Sequence, residues 1–266
     1  MNNKEKNIDP SMKEDDMQKE ETLSLRLTNA ESLTPYQQEY FISDVKNGED
    51  IHIGWNYYIR ADFSNFDEKL EYVNSEALER LFEEVGELKK EAPNLDKETR
   101  RLLHACWRTT RITRHFLGDV SSARMRNKSF DKYEGINNKE VKMCIKPLSE
   151  CLNEAVCSEY CLLSHYILKK LGIKSSIVIG AFSEENKEPP ASMHTYLVLE
   201  NGEYVFDPTY TASQEESWPP KVFITEFPFT ANSLKDMETD PKKPFGKKAF
   251  CTDLLTNERK VYGSGA

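Results

Sequence analysis

The chain has 266 residues, is 38% hydrophobic and 30% charged, and carries a formal net charge of −9. That length suits one domain of roughly 200 residues plus a tail, with enough chain to bury a sizeable core. The acidic balance argues against a general nucleic-acid binder. No run approaches the ~18 apolar residues of a membrane span.

In chain order, residues 1–22 are polar and aperiodic and read as a disordered tail. No apolar stretch of the secretory kind follows Met1, so a cytoplasmic protein is expected. Delivery into a host cell without a signal peptide is a further possibility. Residues 23–266 then form one domain. Leu23 to Ile42 is ambiguous: Leu23, Leu25 and Leu27 alternate as in a strand, whereas Thr34 and Pro35 resemble a helix start. Ile51 to Ile59 reads as one short strand. Two helices follow and make the N-terminal part, about 75–117, helical. The first runs from a Ser75 cap to Glu91, with Leu78, Leu81, Phe82, Val85 and Leu88 as its stripe. The second runs from an Asp96 cap to Leu117, with Leu103, Cys106, Trp107, Thr110 and Leu117 facing inward.

Arg101, His104, Arg108, Arg111 and His115 recur at three- and four-residue spacing on that second helix. They read either as a solvated face paired with acidic neighbours or as a docking surface for an acidic partner, centred on Arg101, Arg108 and Arg111. Ser121 to Lys142 reads as loop.

A helix from about Asn153 to Leu171 comes next. Val156, Tyr160, Leu163, Ile167 and Leu171 give its period, Lys169 and Lys170 lie in its last turn, and Gly172 stops it. A strand over 172–182, a loop over 183–192 and a hairpin around Asn201-Gly202 follow. Asn-Gly is the turn dipeptide that tolerates φ > 0 at both central positions of a type I′ turn. With a two-residue loop, Val198 faces Val205 and Tyr196 faces Asp207. His194, Tyr196, Val198, Val205 and Asp207 then share one face, and Leu197, Leu199, Tyr204 and Phe206 share the other, the better core. Lys221 to Phe227 suggests another strand, residues 230–248 are polar, and Gly263 to Ala266 reads as a flexible tail, native or appended.

The hairpin register makes His194 and Asp207 diagonal neighbours, about 7–8 Å apart at the backbone, which an imidazole can bridge. An imidazole oriented by a carboxylate is half of a nucleophilic triad. Cys157 is the candidate nucleophile, because unsatisfied N–H groups and the positive end of the helix dipole favour a thiolate there. Of the six cysteines, Cys151 and Cys161 compete with it. Cys161 sits one turn deeper and suits the core; Cys151 precedes the helix. No cysteine spacing matches a metal site, and reduced thiols are expected. His165 is too far along the helix to serve as base and reads as a surface contact. Glu159 reads as a solvated or structural helix charge, with a catalytic role as the alternative.

The set Cys157-Ser-Glu159-Tyr160-Cys161, then Leu171-Gly172-Ile173, Val178 to Gly180, His194 with Tyr196, and Phe206-Asp207-Pro208-Thr209 resembles the transglutaminase-like cysteine enzymes over about residues 140–212. Tyr196 stands where that family commonly has Trp, Cys161 where Ala is usual, and Lys174-Ser-Ser where Pro-Ala-Arg is frequent. The resemblance implies an α+β fold, transglutaminase-like or papain-like. A central Cys-bearing helix packs on an antiparallel sheet, additional helices precede it, and the catalytic core covers about 140–230. It further implies a Cys157–His194–Asp207 triad, Tyr196 lining the substrate cleft, and acyl transfer or hydrolysis at a carboxamide of a protein or peptide, without cofactor or metal. The alternative is a non-catalytic interaction protein on the same scaffold, binding an acidic partner through the basic helix.

Overall fold

Ten-residue and eight-residue strands of β-branched and aromatic residues dominate the C-terminal half and pair into an antiparallel sheet. The computed structural model describes residues 41–53, 57–74, 76–77, 80, 94–136, 142–184, 192–213, 220–226, 228 and 248–264. Apart from Ile136 and Lys142, these lie in one compact unit, Tyr40–Gly135 with Met143–Ala266; the other unit comprises Met1–Glu39 and Ile136–Lys142. The expected tail boundary at residue 22, most of the 75–91 helix and residues 230–247 lie outside the described residues. The class is α+β. No described helix is long and apolar enough to cross a membrane.

The elements in chain order are β1 (Phe41–Ile42), β2 (Asp50–His52), β3 (Tyr57–Arg60), α1 (Ser64–Asp67), α2 (Lys97–Leu117), α3 (Ala123–Phe130), β4 (Glu134–Ile136), β5 (Lys142–Pro147), α4 (Cys157–Lys170), β6 (Ser175–Glu184), β7 (Ser192–Leu199), β8 (Tyr204–Phe206), α5 (Pro208–Ala212), β9 (Val222–Thr225), β10 (Lys248–Asp253) and β11 (Arg259–Ser264). Strands β6, β11, β10, β9, β8 and β7 pair in that order, and β6 also pairs with β7, so the sheet closes into a barrel; β1 pairs with the N-terminal half of β6 on the edge that β11 takes further along. The smaller sheet has the order β2-β3-β5-β4.

Closure changes what the hairpin buries. Leu197, Leu199 and Phe206 pack outward with α2 and α4, as the alternation requires. Tyr196, Val198 and Val205 are equally buried, because they fill the barrel interior with Val178, Phe223, Cys251 and Tyr262. The expectation of one good core face is therefore corrected: in a closed sheet both faces are core. The register is Leu197↔Phe206, Val198↔Val205 and Leu199↔Tyr204, the pairing drawn from Asn-Gly. Asn201 and Gly202 both have positive φ, 62° and 91°, and the Glu203 N–H donates to the Glu200 carbonyl at 3.4 Å across the turn.

Helix α2 starts where its cap predicts, with Asp96 Oδ1 accepting the Thr99 N–H at 2.8 Å. Leu103, Cys106, Thr110 and Leu117 are buried and Trp107 is half-buried. The basic stripe is not one solvated face. Arg111 is exposed and lies over the Trp107 ring at 5.2 Å, whereas His104 is buried beside the same ring at 5.5 Å. Central helix α4 is buried nearly all round, through Tyr160, Cys161, Leu162, Leu163, Ile167 and Leu168. It packs on β6, β7 and α2, to which the Ser164 hydroxyl is tied by Thr113 at 3.1 Å.

Four further expectations change. The single strand over 51–59 is two antiparallel strands, β2 and β3, in register Ile51↔Ile59. Ser121 to Lys142 contains helix α3, which the Ser122 hydroxyl caps by accepting the Met125 N–H, and whose Phe130 is buried. Gly263 and Ser264 belong to β11 and pair with Ala181 and Gly180. His165 is not a surface contact: it is 3% exposed, and its Nδ1 meets the Ser175 hydroxyl at 2.8 Å.

Burial holds the His165 pKa at about 4, and burial plus the Arg108 charge does the same for His104. Both lie below the ordinary 6.5, so between pH 6.5 and 4 the unfolded chain takes up protons that the folded chain refuses. The stabilisation is therefore complete above about pH 6.5 and is lost as pH falls toward 4, by up to about 3 kcal/mol for each ring. Denaturant unfolding across that range should show a steep loss of stability. The His165→Asn variant, which keeps a partner for Ser175 but cannot titrate, should lose less; an identical pH dependence would refute the assignment.

Candidate functional site

Cys157 is the first residue of α4, preceded by Val156 in extended backbone. The turn before it is shaped by Asn153 at φ 61°, which ends any helical run from the N-terminal side, so the helix begins later than residue 153. That turn packs against the end of α2: the Asn153 N–H donates to the Leu117 carbonyl and the Ser121 N–H to the Ala155 carbonyl. Gly118 permits this approach, because a Cβ there would stand 2.0 Å from the Asn153 side-chain oxygen.

Glu159 anchors the helix start. Its Oε2 accepts the Val156 N–H at 3.0 Å and its Oε1 accepts from Arg126 Nε at 2.9 Å, both side chains being buried. This is half a capping box, since Val156 has no side-chain acceptor to return. The structural reading of Glu159 is thus the observed one, and its partner comes from α3. Arg126 is seated over the Phe130 ring at 4.8 Å.

The first two turns of α4 grip β7 at a single residue. Ser158 Oγ meets Thr195 Oγ1 at 3.2 Å, and the Cys161 thiol donates to the Thr195 carbonyl at 3.2 Å. A backbone hydrogen bond from Thr195 reaches the Cys157 sulfur. Cys161 is therefore a core thiol that also clamps helix to strand. Thr195 faces α4, so its neighbour His194 lies on the barrel's inner side, near the mouth. The β7–β8 ladder stops at Leu197↔Phe206, and the chain turns into α5 at Asp207. That opening lets the imidazole and the carboxylate meet.

His194 Nε2 lies 2.6 Å from Asp207 Oδ2. The ring also shares a side-chain hydrogen bond with Cys157, which leaves Nδ1 to serve the thiol. The sequence-predicted Cys157, His194 and Asp207 are thus brought together, Asp207 through its 2.6 Å bond to the ring and Cys157 through its effect on the ring's proton. The Asp207 side chain is 1% exposed and that of His194 17% exposed. Burial pulls the His194 pKa down, but the Asp207 charge and hydrogen bond, with help from Cys157, hold it well above the ordinary value. Burial pushes the Cys157 thiol up, but the His194 hydrogen bond and charge and the Thr195 backbone bond outweigh it and hold the thiol below its usual range. Together these favour a thiolate–imidazolium pair.

The rival thiols lack this setting. Burial raises Cys151, Cys161, Cys106 and Cys251, the last to about 12, and none of the six cysteines is in a disulfide. Tyr196 is not on a cleft wall. It is fully buried inside the barrel, its ring edge-on to Tyr262 at 4.9 Å, because the closed sheet turns that face into core. Segments 185–191 and 214–219, which adjoin β7 and α5, lie outside the described residues. A cavity of about 600 Å³ lies at the other end of α4, beside His165, Lys169 and Gly172, not at Cys157. No cluster of potential metal ligands occurs among the described residues. Tyr262, Thr195 and Arg126 belong to the site without any spacing in the sequence to mark them, whereas Glu159 carried the signal of an acidic residue at the third helical position.

No family model, curated protein or solved structure matches the chain.

Two measurements follow from this geometry. Alkylation near pH 7, mapped by peptide mass, should label Cys157 before the other five cysteines, with a rate that levels off below the ~8.5 of a free thiol; uniform labelling rising only above pH 8 would contradict it. Glu159→Gln leaves the buried Arg126 unpaired and should cost about 3–5 kcal/mol in chemical denaturation, whereas a change under about 0.5 kcal/mol would remove Glu159 from this role.

Proposed function

We propose that the protein is a transglutaminase-like cysteine enzyme that transfers or hydrolyses an acyl group at a carboxamide, taking a protein or peptide as substrate. The observation that carries this reading is the buried Asp207 carboxylate bonded to His194 Nε2, with the other side of the ring given to a thiol at a helix start.

The chemistry runs as two half-reactions. The Cys157 thiolate attacks the carboxamide carbon, forming a carbon–sulfur bond and a tetrahedral oxyanion. The Cys157 N–H, at the first helical position, has no intrahelical acceptor and supplies one donor to that oxyanion. Val156 supplies none, because its N–H is committed to Glu159. His194 gives its proton to the departing amine as the carbon–nitrogen bond breaks, leaving a thioester. His194, now neutral, takes a proton from an incoming water or amine, which attacks the thioester carbon; the carbon–sulfur bond breaks, releasing acid or a new amide and restoring the thiolate–imidazolium pair. Asp207 keeps the ring in one tautomer throughout and stabilises the imidazolium. The partly exposed His194 edge is consistent with a substrate entering at the barrel mouth.

Incubation with glutamine-bearing peptides, with and without a primary amine, tests the proposal by intact mass: the expected products are deamidated peptide, cleaved peptide or an amine adduct. Cys157→Ala should abolish turnover, by at least about a thousandfold, with the circular dichroism unchanged. His194→Ala should come close to that. Asp207→Asn should cost less than either, because it orients rather than reacts. Full turnover in Cys157→Ala would place the nucleophile elsewhere.

A further inference from the structure

The Asp207 carboxylate, though buried, meets three donors among the described residues. Oδ1 accepts the Tyr210 N–H at 2.9 Å, while Oδ2 accepts both His194 Nε2 at 2.6 Å and the Tyr262 hydroxyl at 3.2 Å. Tyr262 lies on β11, 55 residues further along the chain, and reaches Asp207 through the barrel interior. A carboxylate can only accept, so the phenol donates. Burial and the Asp207 charge raise the Tyr262 pKa well above the usual value, so the hydroxyl keeps its proton. The ring cannot drift: it is packed against Tyr196 at 4.9 Å and Phe223 at 5.5 Å.

Two donors on one oxygen share its charge. What Tyr262 draws from Oδ2 is withheld from His194. The phenol also fixes the rotation of the carboxylate, so that the remaining lone pair of Oδ2 points at the imidazole. We infer that Tyr262 is a positioning residue of the Cys157–His194–Asp207 site, its hydroxyl setting how strongly Asp207 holds the His194 imidazolium. The inference rests on the acyl-transfer reading above. It differs from the ordinary satisfaction of a buried tyrosine hydroxyl, which has no consequence for the ionisation of His194.

The test is the titration of the His194 ring followed by NMR, assigned with a His194→Gln sample, alongside the pH dependence of Cys157 alkylation. Tyr262→Phe keeps the ring packing and removes one donor, so Oδ2 carries more charge and the His194 midpoint should rise by about half to one pH unit. Incorporation of 3-fluorotyrosine at position 262 strengthens the donor and should lower the midpoint. Should Tyr262→Phe not fold, the sign of that second shift decides alone. The Tyr262→Phe shift should vanish in an Asp207→Asn background. An unmoved His194 midpoint, or a shift that persists in Asp207→Asn, overturns the role of Tyr262 while an activated wild-type thiol leaves the acyl-transfer reading intact. A wild-type Cys157 no more reactive than a free thiol overturns that reading, and the role of Tyr262 with it.

Discussion

Strand β6 pairs with β7 on one side and β11 on the other, and this ring closure decides most of what the site can be. An open sheet could present His194, Tyr196 and Val198 to solvent. The closed one makes their face an interior, fills it with Tyr196, Phe223 and Tyr262, and leaves only the mouth for polar chemistry. His194 and Asp207 sit at that mouth because the ladder between β7 and β8 ends just before them. Without closure, β11 would not carry a phenol to Asp207.

Buried charge is the second constraint. Beside the Cys157 helix start lie Arg126 with Glu159, and Lys146 with Glu154. Next to α5 lies another group, in which Lys221 and Lys260 flank the Tyr210 ring at 5.3 and 5.4 Å and share Glu258. Such pairs add little net stability, because desolvation offsets the attraction, but breaking one leaves an uncompensated charge. One fixes the turn that presents Cys157; the other fixes the short helix that Asp207 caps.

The strength of the Cys157 environment comes from opposition between effects. Desolvation alone would keep the thiol protonated and the imidazole neutral, as it does for Cys161 and His165 in the same helix. Unlike Cys161, Cys157 has the His194 cation to meet it, and unlike His165, His194 has the buried Asp207 carboxylate behind it. A separation of a few residues in the helix therefore distinguishes a thiol held protonated from one whose ionisation is favoured.

Local pattern was enough to place a good part of this. The Asn-Gly turn and period-two alternation set the hairpin register, and with it the shared face of His194 and Asp207. The Asp96 cap, the Gly172 stop and the three-and-four spacing set α2 and α4. These are short-range consequences of backbone geometry, readable wherever neighbours in sequence are neighbours in space. Pattern could not show that both hairpin faces are core, that Tyr196 lies inside a barrel rather than on a cleft, or that His104 and His165 are buried. Nor could it show helix α3, whose Arg126 has a purpose only once Glu159 is beside it. Each of these depends on pairing between segments distant in the chain, and alternation along one strand is the same whether the sheet closes or stays open. The sequence determined which residues could share a face; the closing of the barrel decided what that face meets.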